Sequence, residues 1–161
     1  MDKFAGMHWM LVTPLQQSEE VDLPSIKHIV KKAIDTGCVG IVVLGEMGEW
    51  RRLSDSERRL ILDEVMTVAD GHIEVTIGTT ATSTFIAVDR AKEAEDFGGS
   101  AIMVAPPPLG KPNPDMVETF YKRVADSVNI PIVIQDFPQT SGVHMSPQFI
   151  AKLAEEIPSF R

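Results

Sequence analysis

The sequence predicts an α/β fold in which the strands of a parallel sheet alternate with helices. Short apolar runs bounded by turn residues alternate five times with segments of helical apolar spacing. The connections are short, as in right-handed βαβ units, and glycines and prolines fall at element boundaries and not in a linker. Two closures fit this pattern: an open doubly wound sheet, or part of a (β/α)₈ barrel, which typically needs about 250 residues.

The strands are predicted from apolar runs that end at turn residues. The second run is apolar throughout, which is typical of a strand buried on both faces. The fourth is followed by Pro106, Pro107 and Pro108, which exclude both a helix and a central strand at that point. The predicted strands cover residues 7–12, 40–44, 74–78, 101–104 and 131–134.

The helices are predicted from their capping residues and apolar periodicity. Asp22 is an N-cap followed by Pro24, Ser54 and Glu57 form a capping box, and Ser146 opens the last helix. The predicted helices cover about residues 22–37, 54–71, 84–98, 114–127 and 146–157. The residues expected to face the core are Leu60, Ile61, Val65 and Val68, then Ile86, Ala87, Ala91 and Ala94, then Met116, Phe120 and Val124.

Charge and cysteine content exclude several classes of function. The net charge of −8 across 161 residues, with no basic run, argues against nucleic acid or an anionic membrane as partner. The single cysteine, Cys38, excludes an internal disulfide and fits a reducing compartment. No signal peptide pattern or membrane-spanning run is present, so we expect a cytoplasmic protein.

The predicted functional site lies where the second strand ends. Gly45, Glu46, Met47 and Gly48 form a glycine-bracketed turn, and α/β folds place their chemistry at the carboxyl ends of strands. Glu46 is predicted to be an acid/base group. The alternative is a tight connection with solvated acids. Glu46, Glu49 and Asp136 are also candidate ligands for an oxygen-rich magnesium site, but the spacing of these carboxylates is not diagnostic.

Several motifs, in order along the chain, resemble the dihydrodipicolinate synthase / N-acetylneuraminate lyase family. They are Gly6 with Val12-Thr13-Pro14, Gly45-x-x-Gly48-Glu49, Leu53-Ser54-x-x-Glu57-Arg58, Gly78 with its Thr/Ser-rich loop, Lys111-Pro112, and Pro131-Ile132 leading to Pro138 and Gly142. The resemblance implies a (β/α)₈ TIM barrel of which this chain supplies about the first five βα units. Residues 1–161 are then the N-terminal part of a single barrel domain, incomplete at its C-terminus.

The resemblance also implies an activity. Members of this family are class I lyases, aldolases or dehydratases that form a Schiff base between a 2-oxo acid and a lysine on the sixth strand. That lysine would lie beyond Arg161. No cofactor and no metal are implied, and a homo-oligomer, a tetramer or a dimer, is expected. The alternative is a non-catalytic or differently catalytic barrel relative that binds a small metabolite.

The residues of the active site depart from the family pattern. Glu46 and Met47 replace two hydroxyl residues that the family uses for the substrate carboxylate, and Gln135 replaces the tyrosine proton relay. Asp136 stands where the family usually has asparagine, and Leu109 where a second tyrosine is common. We therefore do not expect dihydrodipicolinate synthase itself or the sialic acid lyase. The predicted catalytic residues are Glu46 and Gln135, and the predicted substrate-binding residues are Gly45, Met47, Gly48 and Asp136.

Trp50, directly after the turn, has two interpretations. Its ring is suited to lining the substrate or to contacting another subunit.

Overall fold

The computed structural model describes residues 4–160, in which strands and helices alternate as predicted. The strands are β1 (His8–Met10), β2 (Gly40–Val43), β3 (Glu74–Gly78), β4 (Ala101–Val104) and β5 (Ile132–Ile134). The helices are α1 (Leu23–Asp35), α2 (Asp55–Ala69), α3 (Thr84–Asp96), α4 (Pro114–Ala125), α5 (Pro138–Ser141) and α6 (Pro147–Glu156). One 3₁₀ turn, Trp50–Arg52, follows β2.

The chain divides into two compact units. The first contains the described residues up to Gly78 together with Phe97–Ser100, and the second contains Thr79–Asp96 and the described residues from Ala101 onward. In the first unit β2 pairs in parallel with both β1 and β3. In the second unit β4 pairs in parallel with β5. The parallel pairing confirms the prediction made from the βα alternation.

The helix starts confirm the predicted caps. The Asp22 carboxylate accepts the Ser25 N–H at 3.2 Å at the start of α1. At the start of α2, Glu57 accepts the Ser54 N–H at 2.8 Å while the Ser54 hydroxyl accepts the Glu57 N–H, which is the complete capping box. At the start of α6, the Ser146 hydroxyl accepts the Phe149 N–H at 3.2 Å. These starts are predictable because each cap depends on a few adjacent residues.

The predicted inward faces were partly wrong. Leu60, Ile86 and Met116 are 49%, 38% and 44% exposed, although their spacing placed them in the apolar stripes. The helices bury a face rotated away from these three residues. It contains Arg58, Ile61, Leu62, Val65 and Ala69 in α2, Ala87, Ala91 and Ala94 in α3, and Val117, Phe120, Tyr121 and Val124 in α4.

The sequence also mispredicted several boundaries. β1 has three residues where residues 7–12 were expected, and β5 begins one residue later than predicted. The single-turn helix α5, which begins at Pro138, was not predicted because it is too short to show helical periodicity. No helix within residues 4–160 has the length and apolar character needed to cross a bilayer.

A close backbone contact fixes the end of β2. Leu44, the residue after β2, is 1% exposed and has a φ of 58°, which bulky side chains rarely adopt. Its carbonyl oxygen lies against Gly78 at the end of β3, where a Cβ atom would stand 2.1 Å from it. The buried Arg58 side chain donates a hydrogen bond to the Gly78 carbonyl at 3.3 Å. Position 78 therefore requires glycine, because any side chain there would clash with the Leu44 carbonyl oxygen.

Gly78→Ala should destabilise the protein by about 1–3 kcal/mol, because Leu44 and its turn must move to admit the methyl group. Urea unfolding of the complete natural chain measures this change. Gly110→Ala is the matched control, since a Cβ atom there meets no heavy atom within 4 Å, and it should stay within about 0.5 kcal/mol of wild type. Equal stability of the two variants would contradict the close contact.

An ion-pair network joins α4 to α6. Glu118 of α4 contacts Lys122 at 2.5 Å and Lys152 of α6 at 2.6 Å. Lys122 also reaches Glu156 of α6 at 3.1 Å. The hydrogen bond from Lys122, followed by that from Lys152, lowers the pKa of Glu118 from 4.5 to about 2. The contacts that Glu118 makes in this network therefore favour the folded state only while Glu118 is ionised.

The stability of the protein should depend on Glu118 in a defined acidic window. Because the folded-state pKa of about 2 lies below the ordinary 4.5, the contribution is present above pH 4.5 and is lost as pH falls towards 2. Glu118→Gln should reduce the loss of unfolding free energy across that window, measured by urea unfolding at each pH. Glu155→Gln, on the exposed surface of α6, should leave the loss unchanged. The same pH dependence in both variants would refute the assignment.

Candidate functional site

The turn after β2 brings Gly45, Glu46, Met47 and Gly48 together within the first unit. The Gly48 N–H donates to the Gly45 carbonyl at 3.0 Å, and the Glu49 N–H donates to the Glu46 carbonyl at 3.1 Å. The Thr13 hydroxyl donates to the Gly48 carbonyl at 2.8 Å and so ties the turn to the segment after β1. The turn is thus a fixed structure.

Two strained residues bracket this turn. Leu44 and Glu49 have φ angles of 58° and 54°, in the left-handed region that favours glycine. Such conformations are costly for residues with side chains, and they cluster at functional sites. Glu49 is exposed and pairs with Arg52 at 2.7 Å, so its carboxylate stabilises the turn from the solvent side.

The turn offers two adjacent backbone donors. Among residues 4–160, no acceptor is found for the N–H groups of Glu46 and Met47. Successive backbone N–H groups in a turn can form a concavity that binds anions. The Met47 side chain is 57% exposed, so it does not fill the core around them. A carboxylate is a suitable ligand for this pair of donors.

The Glu46 carboxylate is held by two neighbours. The Trp50 Nε1–H donates to Glu46 Oε1 at 2.8 Å, and Arg51 Nη2 lies 3.6 Å from the same oxygen. The Arg51 guanidinium carbon lies 4.8 Å from the centre of the Trp50 ring, so the three side chains form a closed cluster. Only 17% of the Glu46 side chain is exposed. Within residues 4–160 no group donates to Oε2, which leaves that oxygen available to a ligand.

The residues after β5 lie in the second unit. The Gln135 N–H continues the strand pairing by donating to the Val104 carbonyl at 3.0 Å, and Asp136 is exposed. Tyr121 is buried beneath them and donates its hydroxyl to the same carbonyl at 3.3 Å. Burial, and then the nearby Asp136 carboxylate, raises the pKa of Tyr121 far above its usual value. The Tyr121 hydroxyl is therefore committed to a backbone carbonyl.

Leu109 lines a cavity of about 390 Å³ in the second unit, together with residues that include Phe120 and Arg123. From the family resemblance, Leu109 is expected to replace a second tyrosine. An apolar side chain at this wall supplies no proton donor. Among the described residues, no cluster of three His, Cys, Asp or Glu side chains is placed to hold a metal ion.

The cluster around Glu46 was only partly predictable. Trp50 was expected to contact substrate or another subunit, but it is 4% exposed and hydrogen-bonded within the first unit. Arg51 was not singled out at all. Helical spacing gave no signal for these contacts, because residues 46–49 form a turn and Glu49 has a left-handed φ of 54°.

Comparison with known proteins gives a consistent family. The family model described as "Dihydrodipicolinate synthetase family" matches residues 3–160. The chain is 31% identical over 153 residues to the 4-hydroxy-tetrahydrodipicolinate synthase of Methanocaldococcus jannaschii, covering 95% of this chain and 53% of that protein. It is 27% identical over 154 residues to the Escherichia coli protein named "Probable 2-dehydro-3-deoxy-D-pentonate aldolase YjhH", covering 96% and 52%.

The solved structures agree with the sequence matches. The crystal structure of dihydrodipicolinate synthase from Aquifex aeolicus superposes with a TM-score of 0.91 at 30% identity, covering 97% of this chain and 53% of that one. This similarity confirms the predicted fold class: the chain is the N-terminal portion of a (β/α)₈ barrel. The chain spans about half the length of the curated relatives it matches.

Proposed function

This chain belongs to the dihydrodipicolinate synthetase family, and on that premise we propose that the protein is a class I carbon–carbon lyase or dehydratase of a 2-oxo acid. The observation that carries the proposal is the turn after β2. It places two unused backbone donors, at Glu46 and Met47, beside a carboxylate with one available oxygen. An anion site next to an acid/base group suits a substrate that carries both a carboxylate and a reacting carbon.

The two backbone donors are proposed to bind the carboxylate of the 2-oxo acid. Gly45 and Gly48 leave the backbone open to close approach, and the exposed Met47 side chain covers the bound acid. A second carboxylate nearby would repel the substrate. The Arg51 guanidinium beside Glu46 compensates this charge, and Oε1 is already turned towards Trp50.

Catalysis is proposed to proceed through an imine. A lysine amine attacks the substrate ketone and water leaves, so the protonated imine withdraws electrons from the adjacent carbons. Cleavage of a carbon–carbon bond or loss of a hydroxyl then requires proton transfer, which we assign to Glu46. Gln135 is proposed to orient the substrate through its amide, because an amide cannot relay a proton. Asp136 is assigned to substrate binding.

The lysine is not among those of the described helices. They lie on exposed helix surfaces, where an amine lacks the desolvation that activates a lysine nucleophile; these lysines are Lys27, Lys31, Lys32, Lys92, Lys122 and Lys152. We propose that the imine forms with a lysine beyond Arg161, in a single barrel domain of which residues 1–161 are the N-terminal part. The protein is further proposed to be a cytoplasmic homo-oligomer, a tetramer or a dimer.

A second candidate is a barrel relative that binds a small metabolite without imine chemistry. The buried Tyr121, committed to the Val104 carbonyl, and the amide at Gln135 favour it, because neither side chain provides a proton relay. In this case the turn after β2 serves as an anion-binding site alone.

Borohydride trapping separates the two candidates. The complete natural chain, incubated with pyruvate or with a sugar-derived 2-oxo acid and then reduced, should gain the mass of the substrate less one oxygen atom. Intact-protein mass spectrometry measures the adduct, and omission of borohydride is the control. Ligand binding without an adduct for any 2-oxo acid would favour the metabolite-binding relative.

Glu46→Gln should lower kcat by about 10²–10⁴-fold with the fold retained, because the amide cannot exchange a proton. Steady-state kinetics and circular dichroism measure the two properties. Glu49→Gln is the matched control: it removes the next carboxylate along, which is exposed and paired with Arg52, and kcat should change by less than about 3-fold. Full activity of the Glu46 variant would remove Glu46 from the mechanism.

A further inference from the structure

Trp50 and Arg51 both contact the same carboxylate oxygen of Glu46. Both reach Oε1, Trp50 at 2.8 Å and Arg51 at 3.6 Å, while Oε2 receives no hydrogen bond within residues 4–160. The charge-assisted hydrogen bond from Trp50 fixes the direction of the carboxylate as well as stabilising it, and the Arg51 ion pair attracts the same oxygen electrostatically. A flexible glutamate would otherwise present either oxygen in several rotamers.

We propose that Trp50 and Arg51 are positioning residues, which hold Glu46 Oε1 and present Oε2 to the substrate. This inference rests on the proposed acid/base role of Glu46. Trp50 suits the task because its ring is 4% exposed and cannot turn without disturbing the core of the first unit. The Arg51 guanidinium is held against that ring, 4.8 Å from its centre, so the rigid indole orients both contacts to Oε1.

The inference separates positioning from substrate binding. The backbone donors of Glu46 and Met47, and not the indole or the guanidinium, are the groups assigned to the substrate carboxylate. Loss of either side chain should therefore misplace the acid/base group while substrate still binds. Misplacement of a reacting group by about 1 Å can reduce a rate about 10²-fold.

The test is a double-mutant cycle in the complete natural chain. Trp50→Phe keeps a ring but removes the N–H donor, and it should lower kcat about 10-fold while KM changes less than about 2-fold. Arg51→Met should act in the same direction, and Arg51→Lys should restore part of the rate. In a Glu46→Gln background, Trp50→Phe and Arg51→Met should have no further effect on kcat, because the group they position is absent.

Two controls distinguish a change in kcat from a decrease in the amount of folded enzyme. Rates are normalised to the fraction of chains that form a borohydride-trapped adduct. Arg52→Gln removes the adjacent arginine, which pairs with Glu49 and is 82% exposed, and it should leave kcat unchanged. If Trp50→Phe does not fold, Arg51→Met carries the test, since the Arg51 side chain is 40% exposed.

A spectroscopic signature gives a readout that does not require turnover. The Trp50 indole N–H resonance, assigned as the one that Trp50→Phe removes, should move when Glu46→Leu removes its acceptor. Additive effects of Trp50→Phe and Glu46→Gln on kcat, or an indole resonance insensitive to Glu46→Leu, would overturn the inference. If Glu46→Gln is fully active, the proposed function fails at Glu46, while the indole resonance still reports whether the contact forms.

Discussion

The contact between the Leu44 carbonyl and Gly78 is the constraint on which the site in the first unit depends. An oxygen occupies the space where any side chain at position 78 would begin. Leu44 must adopt a left-handed conformation to place its carbonyl there, and its burial at 1% exposure compensates the strain. Arg58 holds Gly78 through its carbonyl. These contacts fix the direction in which the chain leaves β2. They therefore also fix where the turn from Gly45 to Gly48 begins.

The first consequence is a cluster of side chains that lie close together in the sequence. Within six consecutive residues, the chain supplies a carboxylate, an indole donor and a guanidinium that contact one another. Such a cluster does not need distant elements to align a glutamate. It also explains how an acidic residue is accommodated beside donors suited to an anion: its charge is compensated by Arg51 and one oxygen is occupied by Trp50.

Features that depend on neighbouring residues could be predicted from the sequence. Features that depend on tertiary packing could not. The capping box at Ser54 and Glu57 was predictable because both partners lie within one turn. The exposure of Leu60 and Met116 was not, since spacing fixes which residues share a face but not which face meets the sheet. The turn at Glu46 was located correctly as a strand end. Its partners were missed because the left-handed Leu44 and Glu49, which determine where Trp50 points, leave no signal in composition or periodicity.

The Leu44–Gly78 contact has a consequence for how this fold can acquire new chemistry. The path of the turn is set by atoms outside it, whereas Glu46 and Met47 project from a backbone that Gly45, Gly48 and Thr13 already fix. The two side chains can therefore be exchanged with little effect on the frame that carries them. In the proposed role of the turn as an anion site, exchange of these two side chains changes the groups offered to the ligand, while the backbone that carries them keeps its path.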